Sequence, residues 1–195
     1  MEQAEAQGAA RVFIGTDAGK AFSAAGELGP CPFVAVELGT ECLGVHTGEW
    51  RGQEGSNVVG FARFRLGQAD PTSLVELVRQ PQTSEAAIAA ARAAFEAAGL
   101  KVAVCGDFPG RIVDRLIRPY LNAALRRLDE KLATAEDMDN TLRLGLGYPE
   151  GPIALLARTG LHHHYDATMA LYQAVGEQPY FPARRAQVAK ARQGR

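Results

Sequence analysis

The sequence is poor in cysteine, with three cysteines in 195 residues. Cys31, Cys42 and Cys105 are scattered along the chain, and no Cys-x-x-Cys pair occurs. An odd and dispersed set argues against a disulfide framework and a cysteine-based zinc site. It is typical of proteins from a reducing compartment.

The sequence also lacks the segments that direct a chain into or across a membrane. It contains no apolar run of about 18 residues, so we expect no transmembrane helix. The beginning, MEQAEAQGAA, is acidic and polar and has neither the basic nor the apolar region of a secretory signal. We therefore expect a cytoplasmic protein with no membrane partner.

Net charge is low as well, at −1, which is no indication of a nucleic-acid partner. The charges are unevenly distributed, however. Residues 1–60 carry eight acidic and three basic residues, whereas five basic and no acidic residues follow Glu177. A basic end of this kind is typical of a solvated tail.

Residues 11–106 alternate strand-like and helix-like segments, which predicts an α/β arrangement. The loop between 39 and 57 is rich in Gly, Thr, Glu and Ser. Strands are expected at 11–15, 33–37, 58–64, 74–78 and 101–105, and helices at 17–28 and 85–98.

Residues 107–195 predict helices throughout. Apolar residues recur at helical spacing over 110–133, which predicts a first long helix. Thr134 and Asp137 then resemble a capping box, the side-chain arrangement that begins a helix. A last long helix is expected over 161–175, ending at Gly176.

Two glycine- and histidine-containing motifs invite functional interpretations that fail on spacing. Residues 15–20, GTDAGK, are one residue too short for a P-loop, and Ala21 stands where a hydroxyl must reach Mg²⁺. No G-x-G-x-x-G follows a strand candidate, so the dinucleotide fingerprint is absent. In the run 162–164, HHH, successive helical residues diverge by roughly 100°, so three adjacent imidazoles cannot share one ion.

Glu76 is the carboxylate that the pattern singles out. It lies inside the apolar run LVELV, where alternation places it on one face with Leu74 and Val78. A carboxylate there is either a charge at a sheet edge or a tuned group in a site. The pattern alone favours the sheet edge.

Three long stretches carry a family resemblance. They are LVELVRQPQTSE (residues 74–85), DFPGRIVDRLIRPYLNAAL (107–125) and DMDNTLRLGLGYPEGPIALL (137–156). They resemble the latter part of the 3-hydroxyacyl-CoA dehydrogenases, over about two-thirds of the chain. The ending from Gly160 to Arg185 is most similar to the second, degenerate repeat of the two-repeat enzymes of phenylacetate and related acyl-CoA catabolism.

The resemblance implies a fold in two parts. Residues 1–106 would form a truncated α/β remnant of a Rossmann domain, since the family's first βαβ unit is missing from the sequence. Residues 107–195 would form an all-α helical domain like the C-terminal domain of 6-phosphogluconate dehydrogenase. In the family this helical domain also forms the dimer.

The resemblance also implies where the family's site residues fall. The family's catalytic Glu corresponds to Glu76, whereas the position of its catalytic His is held by Ala62. The family's Asn in the long helix corresponds to Asp114, which adds negative charge where a neutral amide should donate a hydrogen bond. The family's Asn-Thr-Ser-Ser segment falls near residues 39–42, GTEC. No metal ligand is implied.

Two functions follow as expectations. In the first, the chain is a non-catalytic binding or dimerisation module, a pseudoenzyme that binds no NAD although the family uses it. In the second, it is a component of an NAD-dependent (3S)-3-hydroxyacyl-CoA dehydrogenase that a partner chain completes. The implied partners are a second copy of the chain, a full-length dehydrogenase and acyl-CoA. The basic tail would be either solvated or attracted to the phosphates of coenzyme A.

Overall fold

The computed structural model describes residues 8–48, 57–67 and 69–193. By its internal contacts the chain divides into two compact units. The first comprises Met1–Phe64 and Thr72–Ile112, and the second comprises Arg65–Pro71 and Val113–Arg195. The sequence-based domain boundary after residue 106 stays a prediction.

The first unit is built on a five-stranded mixed sheet in which the strands follow one another in chain order. All neighbouring strands are parallel except β3 and β4, which form an antiparallel pair. The strands are β1 (Arg11–Phe13), β2 (Val34–Glu37), β3 (Val58–Arg63), β4 (Leu74–Arg79) and β5 (Lys101–Gly106), and the helices are α1 (Ala18–Ala24), α2 (Gly44–Thr47) and α3 (Glu85–Ala97).

Both faces of this sheet are covered, as the apolar runs in the strands predict. Phe61, Val75 and Leu77 pack on one face with Ile88 and Ala91 of α3. The other face forms a second core that includes Val34, Val36, Val58 and Val78 from the strands, with Ala18 of α1 and Leu43. The predicted α/β part is confirmed.

Part of the predicted loop at 39–57 is helical. Residues 44–47 form α2, and residues 49–56 lie outside the described part of the chain. No local pattern in the sequence indicates this helix, because its stabilising partner is remote. The carboxylate of Asp107 accepts hydrogen bonds from the amides of Leu43 at 2.7 Å and Gly44 at 2.8 Å, which satisfies the first donors of α2.

The second unit is helical, as predicted. Thr134 begins α5 by accepting a hydrogen bond from the amide of Asp137 at 3.1 Å, which confirms the predicted capping residue. The helices are α4 (Ile112–Asp129), α5 (Ala135–Leu146), α6 (Pro152–Thr159), α7 (Leu161–Val175) and α8 (Arg184–Gln193), with a short 3₁₀ turn at Gln178–Tyr180.

The basic C-terminal end is a helix packed by one buried residue rather than an irregular tail, and its basic side chains remain exposed to solvent, as the solvated interpretation expects. Ala186 is completely buried in the core that also contains Leu121 and Leu125 of α4 and Leu156 of α6. The bases of α8 are largely held in ion pairs. Arg184 and Arg185 both contact Asp129, at 2.8 and 2.7 Å, and Lys190 contacts Asp166 at 2.8 Å.

The segment 65–71 folds with the helices although its flanking strands belong to the sheet. Gly67 has a φ of +61° and lies against the end of α6, where a Cβ would overlap the carbonyl oxygen of Thr159. Only glycine fits this close backbone approach. Among the described residues, no helix is long and apolar enough to cross a membrane.

Candidate functional site

The strand pairing places Ala62 and Glu76 side by side. They are directly opposite each other in the antiparallel β3–β4 pair, so their side chains share one face of the sheet. Their Cβ atoms are expected about 4.5–5.5 Å apart, as for any directly opposite pair. Ala62 is 7% exposed and Glu76 is 4% exposed. A buried carboxyl group therefore stands beside a methyl group where the resemblance implies a Glu–His pair.

Glu76 lies in an interior strand, so the sheet-edge interpretation is wrong. β4 has β3 on one side and β5 on the other. The alternating pattern around Glu76 could not reveal this, because it specifies the face of a residue and not the position of its strand in the sheet. The other interpretation, a group that belongs to a site, stays a prediction.

Cys105 lies on β5 close to Glu76 and packs against the same core as Val78. Burial raises the pKa of the Cys105 thiol to about 11, and the negative charge of Glu76 adds to the increase. The positive charge of Arg111 opposes the increase, and the negative charge of Asp107 reinforces it. A thiol with this pKa is protonated at neutral pH and is a poor nucleophile, so Cys105 does not replace the missing imidazole.

Residues 39–42, which the resemblance places at the family's Asn-Thr-Ser-Ser segment, form a turn with an ionised carboxylate. Glu41 accepts a hydrogen bond from the amide of Gly39 at 3.0 Å, and its carboxylate lies 3.5 Å from Nε2 of His46. Burial would raise the pKa of Glu41. The two backbone amides, His46 and the charge of Arg111 outweigh burial and hold that pKa below its usual value.

The turn after β1 does not fit a dinucleotide phosphate. A pyrophosphate needs free backbone amides and a positive field at a helix N-terminus. Here the amide of Gly15 already donates to the carboxylate of Glu37 at 2.7 Å. Asp17 adds a further negative charge at this turn, and Lys20 is engaged with it at 2.9 Å.

In the helical unit, Asp114 is compensated rather than isolated. Its carboxylate accepts from Nε of Arg118 at 2.8 Å, one turn further along α4. The pair is largely buried, with side-chain exposures of 19% for Asp114 and 8% for Arg118. The negative charge expected at position 114 is therefore neutralised by a guanidinium group on the same helix.

Arg118 is the first member of a buried polar chain. It donates to Nδ1 of His164 at 3.4 Å, and Nε2 of His164 lies 3.0 Å from the side-chain oxygen Oδ1 of Asn122. Arginine only donates, so His164 must be the neutral tautomer with its proton on Nε2. Asn122 in turn donates to Pro179 at 3.0 Å and accepts from the amide of Ala183 at 3.1 Å, which fixes the segment before α8.

The three consecutive histidines have separate roles. His164 is 1% exposed and uses both ring nitrogens in the buried chain. The rings of His162 and His163 are tilted by 43° with centroids 3.9 Å apart. Both histidines line a cavity of about 490 Å³, together with Arg158 and Gln193. No group of three or more metal-ligating side chains occurs within the described ranges.

Sequence reasoning did not identify Asn122, His164 or Arg111 as important. Asn122 had a detectable signal, since an amide sits among the apolar residues of α4 and such a residue needs a partner. That partner, His164, is 42 positions away, and no local pattern links the two. Arg111 had no signal in the sequence.

Comparisons with known proteins agree on one family. Residues 110–195 match the family model for the 3-hydroxyacyl-CoA dehydrogenase C-terminal domain. The chain is 38% identical over 109 residues to the mitochondrial hydroxyacyl-coenzyme A dehydrogenase of Homo sapiens, covering 51% of this chain and 35% of that protein. It is 33% identical over 110 residues to a probable 3-hydroxybutyryl-CoA dehydrogenase of Deinococcus radiodurans, covering 56% and 40%.

Solved structures extend the likeness over most of the chain. (S)-3-hydroxybutyryl-CoA dehydrogenase of Ralstonia eutropha superposes with a TM-score of 0.70 at 27% identity, covering 83% of this chain and 56% of that one. FadB2 of M. tuberculosis gives a TM-score of 0.78 at 24% identity, covering 95% and 66%, which shows a shared fold. The chain spans 40% or less of the length of the two curated relatives above.

Proposed function

Given that the chain belongs to the 3-hydroxyacyl-CoA dehydrogenase family through its C-terminal domain at residues 110–195, we propose that it is a non-catalytic binding and dimerisation module of acyl-CoA catabolism. Its likeness to the second repeat of the two-repeat enzymes stays a prediction, and the proposal does not depend on it.

The pairing of Ala62 with Glu76 carries this proposal. General base catalysis requires a group of suitable pKa within hydrogen-bond reach of the substrate hydroxyl. The methyl group of Ala62 can neither accept nor donate a proton. Cys105, the nearby candidate for a replacement, has a pKa of about 11. At the turn after β1, the carboxylates of Asp17 and Glu37 (the latter from β2) disfavour a bound dinucleotide. This supports the proposal that the chain does not use the cofactor.

The alternative is an NAD-dependent oxidoreductase component that a full-length partner completes. Glu76 favours this alternative, because the resemblance makes it the family's catalytic Glu and the strand pairing places it directly opposite position 62. In such an assembly the partner would supply both the imidazole and the dinucleotide site.

A pair of titrations on the purified chain separates the two functions. We expect no saturable change in NADH fluorescence at micromolar protein, because no glycine fingerprint is present and the amide of Gly15 is already occupied. Butyryl-CoA should bind with measurable heat in a calorimeter. A full-length dehydrogenase treated identically is the positive control for NADH. Saturable NADH binding by the chain alone contradicts the module proposal.

The proposed partner surface lies on the helical unit and includes α5. No residue of α5 is buried, although the helix is amphipathic. Leu144 is 85% exposed and Leu146 is 65% exposed, and Leu116 of α4 is 68% exposed. Exposed leucines at this density are typical of an association surface, and the proposed occupant is a second copy of the chain.

We expect light scattering at tens of micromolar to give the mass of a homodimer. The double variant Leu144→Asp, Leu146→Asp should shift the chain to monomer, because two carboxylates would be desolvated at the interface. Val45→Asp is the matched control, since Val45 is 70% exposed in the other unit. A monomeric wild-type chain, or a double variant that remains dimeric, contradicts this surface.

A further inference from the structure

Arg111 is a buried arginine that forms no ion pair with any residue in the described part of the chain. It is 4% exposed, in the turn between β5 and α4. Its Nη1 donates to the backbone carbonyl oxygen of Glu41 at 2.7 Å. Its Nε is buried and has no hydrogen-bond partner among the described residues, and no carboxylate of those residues forms an ion pair with the guanidinium.

This arrangement is energetically unfavourable for the protein on its own. Arginine is almost never fully buried unless it is paired. Burial removes the guanidinium from water, and a donor left without a partner adds to that cost. A backbone carbonyl recovers only part of this cost, and within residues 8–48, 57–67 and 69–193 no carboxylate is bonded to the guanidinium.

The nearby carboxylates are already committed to other groups. Glu41 binds the amide of Gly39 and faces His46, while only its backbone oxygen contacts Arg111. Asp107 accepts from the amides at the start of α2. The charge of Arg111 lowers the pKa of Glu41 and opposes the increase in the pKa of Cys105, so the three groups share one electrostatic environment.

The position of Arg111 is also fixed before any ligand binds. The amide of Gly110 donates to the carbonyl oxygen of Thr40 at 2.8 Å, next to the bond from Arg111 to Glu41. Gly110 adopts a φ of +55°, a conformation that glycine allows. Two adjacent hydrogen bonds thus hold the guanidinium against the 39–41 turn, which reduces the ordering cost of binding.

We propose that Arg111 is a binding residue for a carboxylate group of the ligand. A guanidinium fork matches a planar carboxylate, and its Nε–H and remaining Nη–H donors can engage both oxygens. This inference rests on the proposed binding function and adds the class of ligand, an acyl-CoA whose acyl chain ends in a carboxylate. A free short-chain dicarboxylate carries the same chemistry and is the other source.

Binding of succinyl-CoA and butyryl-CoA tests the proposal, because the two thioesters have acyl chains of similar length and differ in the terminal carboxylate. A titration with free succinate, at matched ionic strength, tests whether the site binds a free dicarboxylate instead of an acyl-CoA. We expect succinyl-CoA to bind the wild-type chain at least about 10-fold more tightly than butyryl-CoA, the effect of one hydrogen-bonded charge pair. In Arg111→Met the preference should vanish.

The unliganded variant gives a second readout. Removing an uncompensated buried charge is neutral or stabilising when the replacement packs well, so we expect Arg111→Met to melt no lower than the wild type. The Nε–H NMR signal that this variant loses should shift in the wild type during the titration. Arg92→Met, on the surface of α3, should change neither the preference nor that signal.

The outcomes distinguish this inference from the proposed function. If both thioesters bind equally, the carboxylate proposal is wrong and the binding module stands. If free succinate shifts the Arg111 signal while neither thioester binds, the carboxylate site is supported and the acyl-CoA function fails. A variant that melts well below the wild type and keeps the succinyl-CoA preference makes Arg111 a structural residue and overturns the proposal.

Discussion

The purified chain, mixed with NADH and acetoacetyl-CoA, is expected to consume neither. Losing a general base alone slows such a reaction roughly 10²–10⁴-fold, and the position opposite Glu76 is held by Ala62. We also expect the hydride donor not to bind, because the amide of Gly15 is bonded to Glu37. Absorbance at the NADH band, followed against a sample without protein, measures the result.

Restoring the imidazole should not restore turnover. Ala62→His would place a ring beside Glu76, but we expect the nucleotide still not to bind. Asp114→Asn added to this variant should not help either, and it would leave Arg118 without its partner. If the wild-type chain consumes NADH with contaminating host enzyme excluded, the pseudoenzyme interpretation fails. Glu76→Gln is then the first variant to make, because Glu76 would be the remaining candidate base.

Stability is expected to fall steeply with acid because of His164. Burial lowers the pKa of His164 to about 3, and the charge of Arg118 contributes to the decrease. In the unfolded chain this histidine titrates near its ordinary value of about 6.5. Between these two pKa values the unfolded chain binds a proton that the folded chain does not, so the folded state loses free energy as the pH falls through this window.

The effect of His164 should approach about 1.4 kcal/mol for each pH unit between about 6 and about 3, and it should be absent above pH ~7. Urea unfolding at several pH values measures it. His164→Gln should reduce the slope, because an amide can accept from Arg118 and donate to Asn122 without titrating.

Other groups also make the folded state less stable as the pH falls, so the effect of His164 has to be measured by comparing variants. The pKa values of Glu41, Asp129 and Glu150 are lowered in the folded state. These carboxylates affect the wild type and His164→Gln equally. His163→Gln is the matched control: this neighbour lies outside the buried chain, and burial lowers its pKa as well, so its loss should reduce the slope by less than the loss of His164 does. An unchanged acid slope in His164→Gln contradicts the assignment of the effect to His164.

The elements that sequence reasoning located correctly depend on short-range interactions. Thr134 caps α5 through an amide three residues away, and Gly176 ends α7 with a left-handed φ of +76°. Signals of this kind lie within one helical turn and can be read from a single sequence. Spacing alone does not predict the register that sets Ala62 against Glu76. The family resemblance implies independently that the two positions belong to one site.

The features that sequence reasoning missed depend on partners far along the chain. α2 begins at residues capped by Asp107, more than 60 positions away. α8 is held by Asp129 and by a small buried face rather than by a strong apolar stripe. The composition of a strand likewise does not specify its neighbours, which is why the pattern around Glu76 wrongly predicts a sheet edge.

The docking of Gly67 beside Thr159 has a practical consequence for dissecting this protein. The backbone leaves the sheet unit after Phe64, returns to it at Thr72 and leaves again after Ile112, so neither unit is one uninterrupted stretch of chain. A gene fragment starting at Val113 would encode every residue of α5 to α8 and still lack the seven-residue loop against the end of α6. A shorter protein that reproduces the helical unit therefore needs residues 65–71 joined to the fragment by a designed linker.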